Sequence, residues 1–283
     1  MESGLRNAAG KRDNMNLDYE SKKWAKELKN FNDFKKQTKG VFDKNEQYTI
    51  SVFLQGGKKD YLRLYDRLSC SYEQMARWYY LDHTDTEEIK KYTYLSGMAL
   101  VITKILFDKG IRTDYKEIVE GNIKRNMDFA LYQLIAADEF ENVYTKQAVE
   151  ENNLIMLMYN QKWEEAGKLL EQLPDNPEEA KEIYYVKPQF LKKIYMAIIA
   201  GDEKAFNEEL AKRIKKYRRN MVGYSTIIDI VSVALIKMAK QAGLSCHVDV
   251  IEIPGQFFDA SCRIDKNKVQ LPFWQEFLEE KLL

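Results

Sequence analysis

Residues 197–220 have the sequence AIIAGDEKAFNEELAKRIKKYRRN, and this stretch indicates how the chain folds. The small and polar pair Gly201-Asp202 separates an apolar segment from a strongly charged one, as expected of a tight turn between two helices. Phe206 opens the charged segment, and Ile214 and Tyr217 place apolar side chains among its cations at helical spacing. The stretch therefore predicts two helices joined by a tight turn.

The same order of turn, aromatic residue and charged helix occurs twice earlier in the chain. It is found at Ala137-Asp-Glu-Phe140 and again at Asn160-Gln-Lys-Trp163. The spacing between the copies is irregular, whereas a true solenoid keeps a fixed period. The pattern predicts an all-α fold of irregular antiparallel helical hairpins, stacked in a way that resembles a tetratricopeptide array.

The composition agrees with a fold of long helices. Gly accounts for 13 and Pro for 5 of the 283 residues, so few positions break a helix, and 45% of the residues are hydrophobic, which is enough for a core. Residues 1–15 are polar and predict a flexible N-terminal tail. Residues 16–283 are predicted to form a single α-helical domain, because no long flexible linker divides them.

Turn and capping residues predict where the helices begin and end. Thr84-Asp-Thr-Glu87 has the form of a capping box, in which the Thr and Glu side chains satisfy backbone amides at a helix start. Gly110 and Gly243 are expected just after helix ends. Cys246–Ile251 alternates and is β-branched, which predicts a short extended segment near the C-terminus. The predicted helices cover residues 60–81, a segment ending near 107, and residues 122–137, 187–200, 203–219, 225–242 and 273–282.

Neither the N-terminal segment nor the cysteines indicate export. The N-terminal segment lacks the apolar stretch of a secretory signal. Ile227–Met238, the longest strongly apolar stretch, is shorter than the roughly 20 residues that cross a bilayer and contains two charged residues. Cys70, Cys246 and Cys262 are far apart and odd in number, which disfavours a disulfide framework. These features predict a soluble cytoplasmic protein that does not enter a membrane.

No sequence motif indicates catalysis. The phosphate-binding, nucleophile-elbow and zinc-binding motifs do not occur in the sequence. Asp82-His83-Thr84-Asp85 is a first cluster with metal-ligand side chains, and its acids are typical of a helix start, where they face the positive end of the helix dipole. We therefore expect no enzyme, no metal and no cofactor. The enzymatic alternative is a helical metal-dependent hydrolase that uses Asp82, His83 and Asp85.

A second group of potential metal ligands lies near the C-terminus. Cys246, His247 and Cys262 could supply soft ligands, but their spacing matches no zinc pattern. Free cysteines are among the residues most often buried. The two cysteines are therefore interpreted as core residues beside an ordinary loop.

The net charge of zero combines two segments of opposite charge. Residues 138–182 contain 12 acidic and 4 basic side chains, a balance of −8, whereas residues 183–220 contain 10 basic and 4 acidic side chains, a balance of +6. A total of zero disfavours a dedicated nucleic-acid binder. The basic cluster at 212–219 is interpreted as the last turns of a helix, whose negative dipole end attracts cations. The two segments either pair across packed hairpins or leave an acidic surface free for a basic partner.

An acidic surface with aromatic anchors is the candidate partner interface. Acidic side chains accelerate the association of a basic partner, and aromatic side chains are enriched where proteins meet. The candidate residues lie on one series of predicted helices. They are Asp138, Glu139, Glu141, Tyr144, Trp163, Glu164 and Glu165.

Residues 195–255 resemble part of a known family of bacterial proteins. The features that match are Gly201-Asp202, Phe206, Ala234-Leu235, Ala239, Gly243-Leu244, Asp249 and Pro254. Their order resembles the C-terminal half of the immunity protein forty-nine family of bacterial polymorphic-toxin systems. The resemblance implies an α-helical cytoplasmic protein that binds and neutralises a cognate toxin and has no catalytic residues.

The resemblance thus predicts an immunity protein that binds a cognate toxin and neutralises it by stoichiometric occlusion. A nuclease is the candidate toxin, because nucleases are basic in order to hold phosphates. The alternative among binding proteins is a tetratricopeptide-like scaffold or regulator of a cellular protein, which a concave groove lined by Asn and Lys would favour. The sequence leaves the oligomeric state open.

Overall fold

The structure is a computed structural model, and its described residues contain helices and no β-strand. These residues are 22–23, 25–30, 32, 46–47, 49–51, 60–82, 86–114, 120–140, 145, 148–149, 153–175, 186–220, 227–265, 269 and 271–272. The prediction of an all-α fold is confirmed. The tail at 1–15 and the helix expected at 273–282 lie outside the described residues.

Eight α-helices form the body of the described chain, with two short 3-10 helices between and after them. The 3-10 helices are Pro188–Phe190 and Gly255–Phe258. The α-helices are α1 (Tyr61–Asp82), α2 (Thr86–Asp108), α3 (Glu120–Ala136), α4 (Leu154–Tyr159), α5 (Trp163–Glu171), α6 (Lys192–Ile199), α7 (Glu203–Asn220) and α8 (Ile230–Gln241).

Most helix boundaries agree with the predicted ones, and two do not. The predicted helix at 225–242 begins only at Ile230, because the Asp229 carboxylate accepts a hydrogen bond from the Ser232 backbone N–H and caps the helix there. The predicted helix at 187–200 is divided into a 3-10 turn and α6. Within Cys246–Ile251, where a short extended segment is predicted, residues 246–250 form neither helix nor strand.

The helices pack as consecutive hairpins around one core. α1 packs on α2 and α2 on α3, α8 covers α3, and α6 contacts α5, α7 and α8. Buried apolar side chains of these elements form one continuous cluster, in which Phe206, Leu210 and Ile214 are fully enclosed. The Tyr132 and Tyr195 hydroxyls, 2.5 Å apart and buried, join α3 to α6. Burial raises the pKa of both hydroxyls, so they stay protonated and can share this hydrogen bond.

Five of the described helices end in the same backbone turn, and three of these turns stand where the sequence pattern recurs. Asp138, Gln161 and Gly201 each adopt a left-handed backbone, with φ values of 62°, 57° and 65°. In each turn the next residue donates its N–H to a carbonyl five residues earlier, at 2.9 Å: Glu139 to Leu134, Lys162 to Leu157, and Asp202 to Ala197. This is the Schellman arrangement, so the recurrence in the sequence is a recurrence of one helix-ending turn.

Replacing Gln161 by glycine is expected to raise the free energy of unfolding by about 0.5–1 kcal/mol. An L side chain strains the left-handed conformation, and glycine removes that strain at some cost in the entropy of the unfolded chain. Urea unfolding followed by circular dichroism measures the change. Asp138→Gly is the matched control and should not stabilise, because it removes a carboxylate that binds two lysines. A less stable Gln161→Gly variant would contradict this account of the turn.

The basic cluster of α7 differs from its predicted role. Ile214 and Tyr217 are buried as expected. However, two of the arginines point inward and form buried ion pairs, Arg213 with Asp229 and Arg218 with Glu252. These charges hold α7 against the start of α8 and the segment around residue 252, so they are not part of a solvated helix end.

Glu252 receives cations from two directions. Arg218 donates to its two oxygens at 2.9 and 2.8 Å, and Lys23 donates at 2.8 Å from a helical stretch far away in the sequence. Burial alone would raise the pKa of this carboxyl, but Arg218 and Lys23 together hold it below its ordinary value. The carboxylate therefore stays ionised and joins three parts of the chain.

Candidate partner-binding surface

Asp138, the first residue of the predicted interface, stands at the end of α3 and binds two lysines. Its side chain is 55% exposed, and its two oxygens accept from Lys90, at 2.9 Å, and from Lys237. Lys90 is only 1% exposed and also donates to the carbonyls of Asp259 and Cys262, at 2.8 and 3.1 Å. Asp138 therefore connects α3 to α2, α8 and the segment at 259–262.

The second lysine is partly withdrawn from water. Lys237 also donates to the Ala136 carbonyl at 2.7 Å, so it closes the end of α3 from the side of α8. Burial lowers the pKa of Lys237 to about 8, and the Asp138 carboxylate opposes that shift. At neutral pH the charge of Asp138 is thus balanced by two neighbouring cations, and it adds little negative field for a partner.

A wide groove opens beside Asp138. Its volume is about 890 Å³, and it lies between the ends of α3 and α8 and the residues that follow α8. Glu139 belongs to the wall formed by α3, and Lys240, whose ammonium group lies 4.3 Å from the centre of the Phe258 ring, belongs to the opposite wall. The described lining residues are Ile135, Ala137, Asp138, Glu139, Tyr159, Lys237, Lys240, Gln241, Phe257, Phe258, Ala260, Cys262, Arg263, Ile264 and Asp265.

Trp163, Glu164 and Glu165 form the first turn of α5. Ala166 and Leu170 bury one face of this helix, and Trp163 is half-buried against the same core. Glu164 is 81% exposed and accepts from Lys168 at 2.6 Å, one turn further along. The hydrogen bond from Lys168 lowers the pKa of Glu164 below its ordinary value. Glu165 is exposed beside it, so two carboxylates of this turn face solvent.

Helix α4 connects the two described parts of the predicted surface. Tyr159, its last residue, lines the groove and packs its ring 4.2 Å from that of Phe140, just after Glu139. The turn at 160–162 then leads directly into Trp163. The fold therefore brings Asp138 and Glu139 close to α4. The turn at 160–162 separates α4 from the acids of α5. Glu141 and Tyr144 lie outside the described residues.

The two oppositely charged segments pair with each other at one described place. Lys192 on α6 donates to Asp175 at 2.6 Å and to the Leu173 carbonyl at 2.7 Å. Arg213 and Arg218 bind acids at 229 and 252 instead. Pairing between the segments thus accounts for Asp175 within the described ranges, and the exposed acids of α5 bind no cation of the basic segment there.

The residues of the metal-site hypotheses do not converge in the part of the chain that the structure describes. No group of three His, Cys, Asp or Glu side chains there could hold a metal ion. His83 and Asp85 lie outside it. Cys246 and Cys262 are half-buried free thiols on irregular segments, so they are not enclosed in the core. His247 is exposed, with Nε2 3.0 Å from the Glu203 carboxylate.

The groove contains one of the two residue types expected in the groove of a peptide-binding scaffold. Lys237 and Lys240 line it, but no asparagine does among the residues that the structure describes. Asparagine side chains would be needed to bind the backbone of an extended peptide through their amides. The groove is therefore only partly similar to the one expected of a tetratricopeptide-like scaffold. No helix within the described ranges is long and apolar enough to span a membrane.

Comparison with known proteins gives no further assignment. No protein-family model matches the chain, and no curated protein or solved structure is significantly similar to it. Function is therefore inferred from the residues themselves and from the resemblance of residues 195–255.

Proposed function

We propose that this protein binds a basic bacterial toxin and neutralises it by occlusion, as a stoichiometric immunity protein. The proposal combines the resemblance over residues 195–255 with one structural observation. That observation is the exposed acidic pair Glu164-Glu165 at the start of α5, the helix that follows α4, whose last residue Tyr159 lines a groove of about 890 Å³. A groove gives a partner segment a place to lie, and exposed acids near it attract a basic surface.

The segment that resembles the immunity family includes one wall of this groove. Residues 195–255 cover most of α6, all of α7 and α8, and the irregular run after α8. Lys237 and Lys240 of α8 line the groove, and Phe257 and Phe258 follow directly after the segment. The resemblance and the groove, which are independent observations, therefore concern the same part of the fold.

Electrostatic steering is expected from α5 and not from the end of α3. Asp138 is already bound to Lys90 and Lys237, so its charge is largely balanced within the fold. Glu164 has one exposed partner, Lys168, and surface pairs of this kind exchange readily for another cation. Among the described acids of the predicted interface, Glu164 and Glu165 are thus the ones expected to act at long range, and Trp163 is their aromatic neighbour.

An inhibitor that acts by occlusion catalyses no reaction. It needs a surface whose shape is fixed before the partner arrives, because ordering a loose surface would reduce affinity. The groove walls are held by buried contacts of Lys90 and by the packed helices α3 and α8. A rigid groove, together with the exposed acids Glu164 and Glu165 on α5, is consistent with an inhibitor that covers a basic active site of a toxin.

The double variant Glu164→Lys, Glu165→Lys is expected to slow association with the cognate toxin by roughly tenfold or more and to reduce the salt dependence of the on-rate. The toxin to use is the product of the gene beside the one that encodes this chain. Surface plasmon resonance at several ionic strengths measures both quantities.

A matched charge reversal elsewhere separates local steering from net charge. Glu120→Lys, Glu208→Lys alters the charge equally, at exposed positions on α3 and α7, and should leave the on-rate close to that of the original protein. Equal on-rates for the two double variants would contradict the assignment of the α5 turn. Circular dichroism melting confirms that both variants fold.

A further inference from the structure

A second cavity, separate from the groove, lies where three helices meet the beginning of α8. Its volume is about 280 Å³. Helix α1 contributes Glu73 and Arg77, α2 contributes Thr93, and α3 contributes Gln133. The opposite side is apolar and consists of Ile227, Ile228 and Ile230. The cavity thus combines a polar wall with an isoleucine wall.

The polar wall contains a buried oxygen without a hydrogen-bond partner. Gln133 is 1% exposed, and its amide oxygen Oε1 accepts no hydrogen bond. Its nitrogen Nε2 donates to the Ser96 hydroxyl at 2.8 Å. The Ser96 hydroxyl also lies 3.0 Å from both the carbonyl oxygen and the hydroxyl of Ser69. In this arrangement Oε1 is the unpaired atom of the Gln133 amide.

An unpaired buried acceptor indicates a missing donor. Leaving such an atom without a hydrogen bond costs about 1–3 kcal/mol, so native proteins usually supply a partner. Ser96 does not line the cavity, whereas Gln133 does. The free oxygen is therefore the polar atom of Gln133 that a molecule in the cavity can reach.

The Glu73 carboxyl lies beside one cation, Arg77, which only partly offsets the effect of burial. Burial raises the pKa of Glu73 to about 7, and Arg77, one turn along α1, only partly opposes the shift. Thr93 donates its hydroxyl proton to the Ile89 carbonyl, so it too offers lone pairs to the cavity. The polar wall thus presents the oxygens of Glu73, Thr93 and Gln133 beside the Arg77 guanidinium, and Ile227, Ile228 and Ile230 present hydrocarbon.

We propose that this cavity binds a small organic ammonium ion, whose N–H groups bond Gln133 Oε1 and the Glu73 carboxylate while its short hydrocarbon tail packs on Ile227, Ile228 and Ile230. The cavity volume of about 280 Å³ lies just below the range of roughly 300–1,000 Å³ that is typical of ligand pockets. A ligand that fits it therefore has only a few carbon atoms. An ordered water could satisfy Gln133 Oε1, but it would leave the isoleucine wall and the Glu73 charge unmatched.

The probes that test this site are n-butylammonium, n-butanol and butyrate, which share a carbon chain and differ in charge. NMR of isoleucine methyl groups reports binding at the apolar wall. We expect butylammonium to give saturable shifts confined to Ile227, Ile228 and Ile230, with Ile199 unchanged. Its affinity should exceed that of butanol by roughly tenfold, because a hydrogen bond to a charged group is worth more than a neutral one. Butyrate should not bind.

Variants then assign the charge recognition to Glu73. Glu73→Gln keeps the side-chain shape and should weaken butylammonium by roughly tenfold or more, with butanol affinity unchanged. Glu88→Gln is the matched control, because Glu88 binds Lys91 outside the cavity, and it should leave both affinities unchanged. Equal binding of butylammonium and butanol, no saturable shift with butylammonium, or an unaltered affinity in Glu73→Gln would overturn the proposal.

Discussion

Replacement of Asp229 by alanine is expected to lower the free energy of unfolding by about 3–5 kcal/mol, because it leaves a buried arginine without its counter-ion. The side chains of Arg213 and Asp229 are 5% and 1% exposed, and Arg213 Nη2 lies 2.9 Å from Asp229 Oδ1. The same carboxylate accepts from the Ser232 backbone N–H at 3.1 Å and from its hydroxyl at 2.6 Å. The substitution therefore removes an ion pair and a helix cap together.

Urea unfolding followed by circular dichroism measures the effect of Asp229→Ala. The double variant Asp229→Ala, Arg213→Met should recover part of the loss, since it leaves neither charge buried. Glu164→Ala is the matched control for removal of an ion-paired acid, and it should change stability little because Glu164 and Lys168 are both exposed. A loss below about 1 kcal/mol for Asp229→Ala would contradict the role assigned to this pair.

The buried pairs also explain why the segment that resembles the immunity family is a structural unit. Arg213 joins α7 to the start of α8, and Arg218 joins α7 to Glu252. The Asp229 backbone N–H donates to the Glu252 carbonyl at 2.7 Å, so the two acids are themselves connected. These contacts fix α8, and through Lys237 and Lys240 they fix one wall of the groove.

The sequence predicted those features of the fold that depend on neighbouring residues. Gly201 and Gly243 end α6 and α8 in left-handed turns, as expected of glycine after a helix. Ile214 and Tyr217 are buried because their spacing places them on one face of α7. The recurring turn at 137–140, 160–163 and 201–206 is one backbone motif. Each of these signals acts over a few residues, which is why the sequence alone reveals it.

Features that depend on contacts between distant helices could not be predicted in this way. Helical spacing places Arg213 on the buried face of α7 and Lys212 on the exposed one, but it does not reveal that the partner of Arg213 is Asp229, sixteen residues away. Asp138 was expected to face a partner, yet it binds Lys90 and Lys237 from α2 and α8, 48 and 99 residues away. Asp229 offered a usable signal, because an acid directly before an apolar run is typical of a helix cap.

Glu164 and Glu165, which the sequence assigned to an acidic surface, are exposed, and their part in a partner interface stays a prediction. The groove was not foreseen, because it forms between the end of α3, the end of α8 and a segment after α8. The small cavity beside Gln133 likewise needs α1, α2, α3 and α8 together. Its one local signal, an acid four residues before Arg77, is common to many exposed helices.

Co-expression with the candidate toxin, the product of the gene next to the one that encodes this chain, tests the proposed function most directly. Cells that produce the toxin alone should stop growing, and cells that also produce this chain should recover growth by several orders of magnitude in viable count. The two proteins should then purify together as a one-to-one complex. Continued killing by the toxin, although the chain accumulates as a folded helical protein, would contradict the proposal that it neutralises that toxin.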